Sequence, residues 1–70
     1  MLFSEYRKAA GFSTQEQLAT MLGIKRSAIT KWETGRTFPQ TSMLPAIAKI
    51  LNITEGEIIT AIKAKKTDTA

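Results

Sequence analysis

Apolar residues recur along this chain at spacings of three and four, and four breaks, three of them marked by glycine, divide them into five short helices. No run alternates with the period of two that a strand requires. Leu2, Tyr6 and Ala10 share one face of a first helix, and Gly11 stands where such a helix ends. Thr14 with Gln17 reads as a capping box opening a second helix, with Leu18 and Leu22 inward and Ala19 small beside them. Gly23 stops it. After the turn through Ile24 and Lys25, a third helix is predicted from Arg26 to about Thr34, its Ile29 and Trp32 facing the core, and Gly35 closes it. Arg36 to Thr41 reads as a loop containing Phe38 and Pro39. A fourth helix covers Ser42 to Leu51, with Leu44, Ile47, Ala48 and Leu51 as its stripe and Pro45 tolerated in the first turn. Thr54 with Glu57 forms a second capping box, with Ile53 and Ile58 as a hydrophobic staple, for a fifth helix that fades near Ala64. The expectation is an all-α domain over residues 1–64 with a frayed polar tail over 65–70.

Composition narrows the chemistry. The 70 residues include neither Cys nor His, so disulfides, thiolate nucleophiles, zinc sites and most general-base catalysis lose their usual residues. The six Asp and Glu are scattered, which points away from an enzyme and from a metal or other cofactor. At 43% hydrophobic residues, one compact core can form. The apolar start Met1–Phe3 is too short for a signal-peptide core, and no apolar run approaches the roughly 20 residues of a spanning helix. A cytoplasmic protein without membrane contact is expected. Lys25, Arg26, Lys31 and Arg36 face the single acid Glu33 between them, so this segment carries +3 of the formal +4. A solvated face is the ordinary reading of such a cluster, but its concentration around one helix points to a polyanionic partner.

The second and third helices meet the requirements of a helix-turn-helix: small Ala19 at the crossing, Gly23 in the turn, and Ile29 and Trp32 holding the third helix to the core. At 100° per residue, Ser27, Thr30, Lys31 and Thr34 fall on the outward side, with Arg26 on its flank. Taken singly, these are ordinary surface residues. The run Gln15-Glu16-Gln17-Leu18-Ala19 to Leu22-Gly23-Ile24, followed by Arg26-Ser27-Ala28-Ile29-Thr30-Lys31-Trp32-Glu33-Thr34-Gly35, resembles the Cro/repressor (XRE-type) helix-turn-helix family over about Phe3 to Ile62.

That resemblance implies a compact five-helix, lambda-repressor-like fold and a role as a DNA-binding regulator. It implies that Gln15 contacts a phosphate and braces the third helix, that Arg26, Ser27 and Lys31 read bases, and that Thr30 adds a contact. It further implies that Thr34, Arg36 and Thr37 hold phosphates through side chains and backbone amides, and that Arg7 pairs with Glu33 structurally. Trp32 reads as core. Two departures stand out. Phe12 and Ser13 both precede Thr14 where the family usually has one residue fewer, and Lys25 occupies the position of a Ser or Thr cap.

The reading is a sequence-specific transcriptional regulator resembling a phage or prophage Cro protein, associated with the nucleoid of a bacterial host. It would act by operator occlusion, as a homodimer on double-stranded operator DNA. Phe38, Met43, Ile59 and Ile62 are candidate dimer residues that could equally be core. Seventy residues leave no room for the additional C-terminal domain of full repressors, which favours the Cro-like form. Two rival readings stay open: a co-repressor or anti-repressor acting on a partner repressor protein, and an antitoxin that represses its own operon.

Overall fold

A computed structural model describes residues 1–68 as five α-helices joined by short turns. These are α1 (Phe3–Ala9), α2 (Gln15–Leu22), α3 (Arg26–Glu33), α4 (Leu44–Leu51) and α5 (Glu55–Asp68), with a single 3-10 turn at Thr41–Met43. No strand occurs among the described residues. Both expected capping boxes form. Gln17 N–H donates to Thr14 Oγ1 at 3.2 Å while Thr14 N–H donates back to Gln17 Oε1, also at 3.2 Å. The Thr54–Glu57 pair repeats this at 2.9 and 3.1 Å, and the backbone hydrogen bond from Thr54, foremost, holds the Glu57 carboxyl below the ordinary carboxylate range.

Three helices end by one device. In α2 the Gly23 N–H reaches the Thr20 carbonyl and the Ile24 N–H reaches the Ala19 carbonyl, a Schellman closure. It requires left-handed backbone at Gly23, where φ is +71°, and a side chain there would be strained. The same bonds recur after α1 and α3. At the end of α4, Asn52 takes the left-handed position with φ of +58°.

The core is built from every helix: Phe3, Leu18, Ala19, Ile29, Trp32, Leu44, Ile47, Leu51, Ile58, Ala61 and Ile62 are all buried. Phe3 meets Trp32 edge to face, with ring centroids 5.9 Å apart and planes at 75°, a pairing worth about 0.5–1.5 kcal/mol beyond its buried area. This contact fixes Trp32 as core. Ala19 of α2 is buried, and on α3 Ser27, Thr30, Lys31 and Thr34 stay exposed.

Four expectations change. The inward face of α1 carries Phe3 and Arg7, and Leu2, Tyr6 and Ala10 lie half-buried on its flank. The fourth helix begins at Leu44 rather than Ser42, because Pro45 has no N–H to give the Thr41 carbonyl; the chain there closes as a 3-10 turn, Met43 N–H to Gln40 carbonyl at 2.9 Å. Helix α5 runs to Asp68, past Ala64, through a stretch without Gly or Pro. Residues 69 and 70 of the expected tail lie outside the described residues. Ile62, a candidate for a dimer surface, is wholly buried, whereas Phe38 is exposed and Met43 and Ile59 are half-buried.

The uncapped start of α3 is as expected. Lys25 occupies the N-cap with extended backbone and gives no side-chain hydrogen bond to the helix. Lys25→Ser should therefore stabilise the fold by about 0.5–1 kcal/mol through a new cap, read as a higher urea midpoint. An unchanged midpoint would mean that solvent already satisfies these N–H groups.

Candidate nucleic-acid interface

Six of the eight residues implied by the sequence line one open groove on the outer face of α3 and the chain just after it: Arg26, Ser27, Thr30, Lys31, Thr34 and Arg36. All six are exposed. Helical spacing brings Arg26, Ser27, Thr30, Lys31 and Thr34 to one side, and the turn at Gly35, with φ of +76°, returns Arg36 to the same side. Three cations and three short hydroxyl side chains thus share a concave surface with no carboxylate among its lining residues.

Gln15 adjoins the groove from α2, through a hydrogen bond that its amide oxygen accepts from Thr30 Oγ1 at 2.7 Å. Thr37 is exposed beyond Arg36 and does not line the groove. The Gln15–Thr30 hydrogen bond ties the second helix to the third. It also changes what Thr30 offers, because its hydroxyl proton is directed at Gln15 and, at 3.3 Å, at the Arg26 carbonyl. Thr34 likewise turns its hydroxyl onto the Thr30 and Lys31 carbonyls at 2.9 and 3.2 Å.

The backbone after α3 differs from the implied arrangement. The Thr34 and Gly35 N–H groups donate to the Thr30 and Trp32 carbonyls, and those of Arg36 and Thr37 converge on the Lys31 carbonyl at 2.9 and 3.4 Å. The Schellman closure uses these amides to satisfy the last carbonyls of the helix, so amides expected to face phosphate face inward. Cationic side chains remain available there, Arg36 first.

Behind the groove lies a buried ion pair. Arg7 Nε donates to Glu33 Oε2 at 2.7 Å, with side-chain exposures of 6% and 9%. Arg7 Nη1 donates to the Phe12 carbonyl, also at 2.7 Å. The additional residue between Gly11 and Thr14 is absorbed here: Phe12 packs half-buried against the core, and its carbonyl accepts from Arg7 Nη1. Glu33's second oxygen accepts the Gln15 amide N–H at 2.9 Å. Sequence reasoning reached the ion pair and missed this link, because residues 15 and 33 sit on different helices and only the docking of α2 on α3 sets their distance.

None of the helices among the described residues is long and apolar enough to cross a membrane. Among curated proteins, the chain is 44% identical over 46 residues to the HTH-type transcriptional activator BcrR of Enterococcus faecalis, a match covering 66% of this chain and 22% of that protein. The chain thus spans about a fifth of the length of this relative. No solved structure matches it. Residues 4–58 match the family model described as helix-turn-helix, over an all-α fold of the lambda-repressor-like kind, and the chain belongs to the helix-turn-helix family.

Proposed function

We propose that this chain binds double-stranded operator DNA sequence-specifically and regulates transcription, with α3 lying in the major groove. The observation that carries the reading is the groove of Arg26, Ser27, Thr30, Lys31, Thr34 and Arg36, concave, exposed and cationic. Arg26, Ser27 and Lys31 would meet base edges, while Gln15, Arg36 and the Thr37 side chain would hold phosphates, and Thr34 would do so only by releasing its hydroxyl from the Thr30 and Lys31 carbonyls. Thr30 would approach the DNA with its hydroxyl proton already engaged, as a van der Waals neighbour or an acceptor. The action proposed is Cro-like occlusion of a promoter in the bacterial cytoplasm, by a homodimer whose two α3 helices stand about 34 Å apart, one turn of DNA. Phe38, Met43 and Ile59 are the candidate residues for that dimer.

The test is selection of bound duplexes from a randomised library, followed by footprinting. Enrichment of a roughly palindromic site with half-sites one turn apart supports the reading, and absence of any enriched sequence sinks it. Gln15→Ala should weaken the selected duplex and a scrambled one by similar factors, about three- to tenfold, leaving their ratio intact. A change in the ratio would make Gln15 a reader of bases.

One observation favours a second reading of the outcome. The relative from Enterococcus faecalis is a transcriptional activator, so this chain could raise transcription from a promoter beside its site. A reporter separates the two: expression falls on adding the protein if it occludes, and rises if it activates.

A further inference from the structure

We propose that Glu33, beyond its ion pair, is the positioning residue that orients the Gln15 amide toward a DNA phosphate. The inference rests on the reading that the Gln15 side of the groove holds phosphate. A carboxylate can only accept hydrogen bonds, so it decides which end of a neighbouring amide faces it. Glu33 Oε1 takes the Gln15 Nε2–H at 2.9 Å, which turns the amide oxygen the other way, onto the Thr30 hydroxyl at 2.7 Å. One N–H of the amide is left over. Phosphate oxygens also only accept, so this remaining N–H is the group Gln15 can offer a phosphate. With the amide flipped, its oxygen would oppose the carboxylate.

Arg7 holds Glu33 in turn. Its Nε occupies Oε2 at 2.7 Å, and its Nη1 is anchored on the Phe12 carbonyl, so the carboxylate is pinned from α1 while it pins the amide of α2. The four side chains form one line from the core to the groove: Arg7, Glu33, Gln15, Thr30. The Glu33 side chain, 9% exposed, lies behind the groove and does not line it. Of the two side chains it bonds, Arg7 and Gln15, only Gln15 adjoins the groove, so Gln15 is the direct route from Glu33 to DNA. Replacing the carboxylate by an amide of the same size, Glu33→Gln, offers Gln15 a donor and an acceptor alike and frees it to turn.

The experiment measures Kd for the 70-residue chain, Glu33→Gln, Gln15→Ala and the double variant. The probes are a duplex selected from a randomised library and a mixed-sequence duplex, at one salt concentration and at a temperature where melting curves show every variant folded. Glu33→Gln should weaken both duplexes by about three- to tenfold. In the Gln15→Ala background the same substitution should cost nothing further, a non-additivity that a purely structural role would not produce. Should Glu33→Gln fail to fold, Glu33→Asp keeps the charge beside Arg7 while drawing the carboxylate back from Gln15, and the same cycle applies. Equal losses with and without Gln15, or full affinity in folded Glu33→Gln, overturn the proposal. If Gln15→Ala changes neither duplex while Lys31→Ala weakens the selected one, positioning falls and the DNA reading stands. If the unaltered chain binds neither duplex, both fall.

Discussion

Arg7→Ala is expected to destabilise the fold by about 3 kcal/mol, a large share of the roughly 4–10 kcal/mol that a domain of this size has in total. An exposed ion pair would cost under about 1 kcal/mol. This one is different because both partners are out of water, at 6% and 9% exposure, so removing the guanidinium strands a buried carboxylate. The substitution also leaves the Phe12 carbonyl without its donor and removes an apolar stem packed among the helices. Urea denaturation should show a lower midpoint with an unchanged slope, and far-UV circular dichroism should show the helices retained at low denaturant. Arg7→Lys should fall between the two, since one ammonium cannot match the fixed Nε and Nη1 geometry that serves Glu33 and Phe12 together. Arg7→Met combined with Glu33→Met should recover part of the stability, as an apolar pair leaves no stranded charge. A cost below about 1 kcal/mol for Arg7→Ala would mean that the pair is solvated in solution.

Lys31→Ala is expected to cost about 1–3 kcal/mol of affinity on the selected duplex, roughly 5- to 150-fold, and to flatten discrimination at one base position. Lys31 stands on the outward side of α3 and lines the groove, where its ammonium can donate to guanine O6 and N7. Alanine is the best helix former, and the carbonyl of residue 31 that closes the helix is backbone, so the fold should survive the change. Arg36→Ala supplies the contrast: without its guanidinium beside a phosphate, selected and scrambled duplexes should weaken alike and the salt slope should fall by about one. If Lys31→Ala leaves the ratio between duplexes unchanged at fixed salt, α3 is not the reading helix. A partner repressor protein would then replace DNA as the first expectation, and a complex with such a protein would be the next measurement.

Much of the fold was legible along the chain because its causes are local. The capping boxes at Thr14 and Thr54, the left-handed glycines and the spacing of Leu18, Ile29, Trp32, Ile47 and Leu51 depend on residues within one turn of each other. The outward set on α3 followed from the same periodicity once Ile29 and Trp32 were placed inward. The family pattern then supplied Gln15, Arg36 and the Arg7–Glu33 pair, which periodicity alone does not connect.

What only the tertiary structure decided lies between helices. Ile62 and Ile59 are indistinguishable by spacing, and the packing of α5 against the rest of the core puts one inside and leaves the other half-exposed. The Phe12 carbonyl accepts from Arg7 across the turn at Gly11, a pairing that no helical spacing signals. The Thr34–Thr37 amides were expected at phosphate, yet the closing turn of α3 directs them to its own carbonyls. The orientation of Gln15 was set by a carboxylate eighteen residues away. Sequence by itself determined the helices, the caps and glycine stops that bound most of them, and the exposed cationic face, since each rests on neighbours in the chain. Hydrogen-bond partners across helices were decided by the docking angle, because a bond good at 2.9 Å is absent an ångström or two further out, and no local pattern sets distance to that tolerance.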